Sequence, residues 1–259
     1  MAPHDETVKQ EFSKQAASFE DPTYSFADER LLGWILSHVP PQPGELVLDV
    51  AGGTGHVARA FARTARQAVV LDLTREMLAT GKREADSAGI DNVLYVLGNA
   101  AAMPFLDGSF DLVTCRFAVH HFTDPARQIG EMARVCRPGG RVAIIDLVPF
   151  DETLAESHDR LERLRDPSHT RALPIGELTA LLSAAGVPVA HETTHDQRLA
   201  FDRWLAQAQT APDTGDAIRA ELQAELDGGP ATGMRPLVHD GALHFTQRWA
   251  IVVGARKPA

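Results

Sequence analysis

Residues 46–58 read Leu46-Val47-Leu48-Asp49-Val50-Ala51-Gly52-Gly53-Thr54-Gly55-His56-Val57-Ala58, an apolar run that passes through a glycine turn into the start of a helix. The run is short, partly β-branched and interrupted only by Asp49, the pattern of a central parallel strand covered on both faces. Glycines follow where the backbone has to turn tightly and come close to a ligand, a place in which a Cβ collides. The helix that begins there turns unpaired N–H groups toward the bound molecule. This segment predicts an α/β fold and marks where a nucleotide-like cofactor binds.

Taken alone, Gly53-Thr54-Gly55-His56-Val57-Ala58 fits the dinucleotide pattern G-x-G-x-x-G/A, so NAD is one candidate, with a nicotinamide-dependent oxidoreductase as the matching function. Asp49 weighs against it. Its carboxylate faces the mouth of the turn, where a pyrophosphate sets negative charge on negative charge. S-adenosylmethionine has no phosphate and carries an ammonium and a sulfonium that a carboxylate attracts. Ala68-Val69-Val70-Leu71-Asp72-Leu73 is a second apolar strand, and its acid stands 17 residues after Gly55, where a carboxylate can accept both ribose hydroxyls. Thr74 reads as the N-cap of the following helix. A third strand, residues 92–97, leads into Gly98-Asn99-Ala100, and a fourth, Phe110 to Cys115, into residues 116–122. In an open parallel sheet ligands bind outside the carboxyl ends of the strands, so residues 116–122 are expected to line the site. Pro138-Gly139-Gly140 then ends a helix and turns the chain into a fifth strand.

The pattern Asp-x-x-Gly-Gly-Thr-Gly, with Ala51 where the first glycine usually stands, resembles motif I of class I S-adenosylmethionine-dependent methyltransferases. Residues 46–148 together resemble the small-molecule branch of that family, which includes the ubiquinone and menaquinone C-methyltransferase type and enzymes of bacterial secondary metabolism. The resemblance implies a doubly wound, mostly parallel seven-stranded sheet with a Rossmann-like methyltransferase fold. It also implies an N-terminal helical lid and a helical insertion before the last strand. The implied cofactor is S-adenosylmethionine, leaving as S-adenosylhomocysteine, with Asp49, Ala51, Gly52, Gly53, Thr54, Gly55 and Asp72 around it. Leu73 and Met77 are expected beside the adenine. Asn99 and Ala100 are expected at its edge, Asn99 through its carbonyl oxygen, and Arg116 and Phe117 are expected to position the cofactor by backbone.

On the same resemblance, residues 1–43 form the lid, with Phe12 and Tyr24 closing the pocket. Residues 44–195 and 242–259 form the cofactor-binding core, and 196–241 the cap, with Trp204, Met234, His244 and Phe245 roofing the acceptor. Motif I reports binding rather than transfer, so enzymes of this fold that catalyse decarboxylation, hydroxylation or cyclisation stay open as an alternative.

Methyl transfer is an in-line displacement that asks the protein to hold a nucleophile against the methyl carbon and to exclude water. A phenol, hydroxyl or activated carbon also needs a base, and His120 and His121 are the candidates. Read as extended backbone, these neighbours face opposite sides, one inward and one away, which makes a poor metal site, and no metal is expected. His158 and His169 lie in a charged stretch that reads as solvated surface. The formal charge of −10 argues against non-specific nucleic-acid binding. Cys115 and Cys136, the only two cysteines, read as free thiols in a reducing cytoplasm. No apolar stretch suits a membrane span, and the N-terminal residues show no signal regions. The expectation is a cytoplasmic monomer or homodimer that acts on a small-molecule acceptor without nucleic-acid or membrane partners.

Overall fold

The alternation of apolar strands and amphipathic helices becomes five parallel strands in the computed structural model, which describes residues 3–21 and 28–257. These are β1 (Leu46–Val50), β2 (Gln67–Asp72), β3 (Val93–Leu97), β4 (Phe110–Arg116) and β5 (Cys136–Val148). Helices α3 (His56–Ala62), α4 (Arg75–Ser87) and α5 (Pro125–Val135) follow β1, β2 and β4. Two long strands, β6 (Val189–Ala200) and β8 (Ala242–Ala255), complete the main path in the order β3-β2-β1-β4-β5-β8-β6, with β8 antiparallel to both neighbours.

An eighth strand, β7 (Pro236–His239), pairs with the start of β8, one more than the seven expected. Its cause is local. Asp240 and Gly241 both have positive φ, +49° and +75°, the conformation of a two-residue hairpin for which Asp-Gly is a preferred sequence.

Alternate residues of each strand enter opposite layers. Leu48, Val50, Leu71, Val113 and Ile144 pack toward Ile129 and Met132 of α5 and toward Leu178 and Leu182 of α7 (Ile175–Ala184). Val47, Leu112, Ala143 and Ile145 pack toward Phe61 of α3 and Ile35 of α2 (Glu29–His38). The cap has a core of its own. Phe201 and Trp204 of α8 (Phe201–Ala208), Ile218 and Leu222 of α9 (Pro212–Leu226), Leu161 of α6 (Ala155–Arg165), Met234 and Phe245 pack together there. Because β6 pairs with β8 as far as Ala200, the helical insertion begins at Phe201 rather than at 196. No helix among the described residues is long and apolar enough to cross a membrane.

The glycine turn after β1 is held from below by α4. A Cβ on Gly81 would stand 2.1 Å from the carbonyl oxygen of Thr54 and 2.7 Å from the Tyr95 ring, while the Tyr95 hydroxyl donates to the Gly81 carbonyl at 2.8 Å. Alanine in a helix ordinarily gains about 1 kcal/mol over glycine, yet here it meets backbone that cannot swing aside. Gly81→Ala is therefore expected to destabilise the protein by about 2 kcal/mol, the range of overpacked cores, as a lower urea midpoint with an unchanged slope.

Candidate active site

Two buried carboxylates stand at the carboxyl ends of β1 and β2. Asp49 is 1% exposed and its Oδ1 accepts a hydrogen bond from the Thr114 hydroxyl at 3.2 Å. Burial raises its pKa to about 7, against the pull of that bond and of Arg116. A Cβ on Gly52 would lie 2.7 Å from Asp49 Oδ2, so the glycine is what lets the loop close over the acid. Asp72 accepts the backbone N–H of Gly53 through Oδ2 and that of Thr74 through Oδ1, both at 2.8 Å. Burial raises its pKa as well. Gly53 and Gly55 have φ of +57° and +81°, and Ala51, in the place of a usual glycine, is also left-handed at +51°, a conformation that costs a residue with a Cβ on the order of 1 kcal/mol.

Asp49, Ala51, Gly52, Gly53, Asp72, Leu73, Asn99, Ala100, Arg116 and Phe117 line one cleft, with about 1230 Å³ of empty space including its open mouth. Three of the expected residues are elsewhere. Thr54 is fully buried, Gly55 caps α3, and neither is in the lining. Met77 is also fully buried, packed beneath Gly53 with its sulfur 4.0 Å from where a Cβ there would stand. It supports the loop from the core rather than facing the adenine place. Asn99 is turned the other way from expectation: its carbonyl oxygen accepts the N–H of Ala101 at 2.7 Å, which leaves the amide nitrogen toward the cleft wall.

Helix α1 (Pro3–Gln15) lies across this cleft, presenting His4, Asp5, Val8, Phe12 and Gln15 to it. That spacing is one helical face. Phe12 sits edge-on to His121, ring centres 5.1 Å apart. Tyr24 lies outside the described residues.

At the end of β4 the chain leaves the sheet through Phe117, left-handed at φ +52°, and enters a 3₁₀ turn, Val119–His121. The turn changes the reading of the histidine pair. Instead of facing opposite sides, both rings line the cleft, centres 4.2 Å apart. His120 Nδ1 bonds Asp146 Oδ1 at 2.5 Å, and its backbone N–H donates to Asp146 Oδ2. Burial lowers the His120 pKa, but the charge and hydrogen bond of Asp146 outweigh it and the net direction is upward. For His121, burial and the neighbouring His120 act together and drive the pKa well down. Its Nδ1 meets the Ser168 carbonyl at 2.9 Å, so Nδ1 carries the hydrogen. Each ring is thus held by Nδ1, and Nε2 is the nitrogen left for a ligand.

A second, smaller chamber shares Phe117, His120, His121, Arg165, Asp166 and Gln207 with the first and continues under the cap to Trp204 and Trp249. Of the expected roof only Trp204 lines it. Met234 and Phe245 are fully buried in the cap's own core, and His244 turns to the Ala242 carbonyl and His239 at the hairpin. His158 and His169 are buried, at 5% and 4% exposure, because Asp159 partners both; they are not solvated surface. Glu162, Asp166 and Trp249 belong to these walls, Asp146 stands behind His120, and none of the four was anticipated. For Asp146 a signal existed: it is the lone acid in Ile144-Ile145-Asp146-Leu147-Val148, at the carboxyl end of a parallel strand.

Comparison with known proteins identifies the family. Residues 48–144 match the family described as methyltransferase domain. The chain is 33% identical over 248 residues to the uncharacterized methyltransferase YcgJ of Bacillus subtilis, covering 95% of this chain and 98% of that one. The crystal structure of YcgJ superposes with a TM-score of 0.79, covering 89% of this chain and all of that one. A ubiquinone/menaquinone biosynthesis C-methyltransferase, UbiE of Roseobacter denitrificans, is 39% identical over 121 residues, spanning 46% of this chain and 47% of its own. The [4+2]-cyclase SpnF shares the fold, with a TM-score of 0.71 at 20% identity over all of this chain and 98% of its own.

The His120–Asp146 pair makes a direct prediction. In a proton NMR titration His120 should titrate above the ordinary imidazole range and His121 well below it. Asp146→Asn should lower the His120 value, because the charge and hydrogen bond that favour the imidazolium are lost. Stability contributed by the pair is fully present below the unfolded histidine value and is lost as pH rises through the raised one.

Proposed function

The chain belongs to the class I S-adenosylmethionine-dependent methyltransferases, and on that premise we propose that it methylates O, N or C of a small molecule held in the chamber beside His120 and His121. The observation that carries this reading is the pair of joined cavities, one floored by two buried acids and a glycine loop, the other walled by aromatic rings, meeting at the histidine pair.

The residues fit the cofactor. Asp49 and Asp72 suit a ligand that brings positive charge and a diol, and Gly53, which carries no Cβ, leaves open the wall through which a ligand approaches the turn. In this reading Asp72 accepts the ribose hydroxyls with the lone pairs left after its two backbone bonds. Asp49 and the ends of β1 face the methionine part. When bound, S-adenosylmethionine supplies a methyl carbon whose bond to sulfur breaks, its electron pair moving to sulfur, as the acceptor's bond to carbon forms.

The remaining work belongs to the chain. Helix α1 covers the cleft and excludes water. Phe117, Trp204 and Trp249 hold an acceptor by its apolar faces. An acceptor O–H or activated C–H gives its proton to a neutral ring at Nε2, His120 being the stronger base because Asp146 stabilises the imidazolium, and the proton then passes to solvent.

Three measurements bear on this. Calorimetric titration should show micromolar binding of S-adenosylmethionine and S-adenosylhomocysteine and none of NAD, and Asp72→Ala should weaken the first two by about 1–3 kcal/mol. Affinity for S-adenosylmethionine should tighten as pH rises through the Asp49 value of about 7, by close to tenfold per unit below it, with proton release; a flat profile from pH 5.5 to 8.5 would remove Asp49 from the site. With an acceptor in hand, S-adenosylhomocysteine should appear in equal amount with methylated product. Turnover without it would place the chain among the non-methylating enzymes of this fold.

A further inference from the structure

The cleft has a direction. His120, His121 and the second chamber lie at the β4 and β5 end, Asp72 at the end of β2, and Gly98 to Ala100 at the end of β3, the far edge of the sheet path. If the reacting end of the cofactor meets the chamber and its ribose meets Asp72, the base has to lie at the β3 end, between Asn99 and helix α1.

The polar groups there are oriented by their own hydrogen bonds. The N–H of Ala101 is a donor, so the atom 2.7 Å from it has to be the Asn99 carbonyl oxygen, and this fixes which way the amide points. The Asn99 amide nitrogen in turn donates to Asp5 Oδ2 at 3.2 Å, and Asp5 lines the cleft from the lid. A carboxylate acceptor and an amide donor therefore stand side by side. Adenine shows the complementary pair along one edge, an amino donor next to a ring-nitrogen acceptor. Hypoxanthine shows the reverse, a carbonyl oxygen next to a ring N–H. An Asp at position 99 would set two carboxylates against each other, whereas Asn99 gives the lid's acid a partner.

We propose, resting on the cofactor reading above, that Asp5 reads the adenine base: its carboxylate accepts the 6-amino group while the second amide hydrogen of Asn99 donates to ring N1. The adenine contact expected of residue 99 is thereby divided between the sheet and the lid, and the base is recognised only when α1 is in place. Asp5 also lies in the first turn of α1, where an acid favours the helix dipole. That role makes no distinction between bases, and the test turns on the difference.

The experiment is calorimetric titration of the full chain with S-adenosylhomocysteine and with S-inosylhomocysteine, its 6-oxo counterpart. The wild-type protein should bind the adenosyl ligand about 10- to 100-fold more tightly, since the inosyl ligand sets oxygen against carboxylate and leaves the pairing unmade. Asp5→Ala should weaken adenosyl binding about tenfold and leave inosyl binding unchanged or tighter, so that the preference falls about tenfold or more. Ser13→Ala removes a lid contact to Glu76 away from the base and should leave the preference intact. A preference unchanged in Asp5→Ala, an equal loss for both ligands, or no preference in the wild type would overturn the assignment while the cofactor reading stands. Wild-type protein that binds neither ligand overturns the cofactor reading itself.

Discussion

The burial of Asp49 and Asp72 under one glycine loop is the constraint around which the rest is arranged. Burial raises the Asp49 pKa from 3.8 to about 7, so above neutral pH the folded chain carries a charge that its surroundings disfavour. The folded state holds its proton more tightly than the unfolded one, so stability falls as pH rises from about 4 to about 7. Nothing in strand packing requires an acid there. The loop accepts it through Gly52, which leaves room for the carboxylate, and through N–H groups of Gly53 and Thr74 that hold Asp72. In the proposed reading a cationic ligand with hydroxyl donors offsets the cost of both acids.

What could be read from the sequence follows from how local its cause is. The strand, turn and helix of residues 46–58, the acid closing the second strand and the helix that starts after Thr74 each arise from neighbours within a few positions. Met77 was misplaced because helical spacing tells which face of α4 turns inward, but the inward face meets both the loop and the core, and the choice is made by the Gly53 backbone above it. Asn99 stands on the cleft wall as expected, but the carbonyl oxygen expected to face the cleft accepts the N–H of Ala101. Its orientation is set by the N–H of Ala101, a turn hydrogen bond that composition does not reveal.

The cap was the least legible part because its contacts join residues far apart in the chain. His158 and His169 sit in a charged segment, yet α6 turns Asp159 inward and the two histidines close around it. Met234 and Phe245 are the apolar residues a roof calls for, but β6 and β8 run on past the sheet, and the helices on them need a core before they can offer a surface. Trp204 serves both, one side on Phe201 and Phe245 and the other in the chamber. The histidine pair was misread for a simpler reason: a strand expected to continue gives way at Phe117 to a left-handed residue and a 3₁₀ turn, and the period of two no longer applies.

Helix α1 joins these parts. Its first turn touches Asn99 at the β3 end through Asp5, His4 Nε2 contacts the carbonyl of His121 at 2.9 Å, and Phe12 packs on the His121 ring. Near its end, Gln209 of the cap segment donates to the Lys14 carbonyl at 2.8 Å. A single rigid element thus contacts the base end of the cleft, the histidine pair and the cap. Several of these contacts are polar and none is large, so the free energy holding α1 down is small compared with the core. A ligand that adds contacts at one end also orders the other, because the helix between them transmits position without bending. In the proposed reading, filling the cofactor cleft therefore steadies His121 through Phe12 and His4, and the same closure that excludes water holds the imidazoles where an acceptor would meet them.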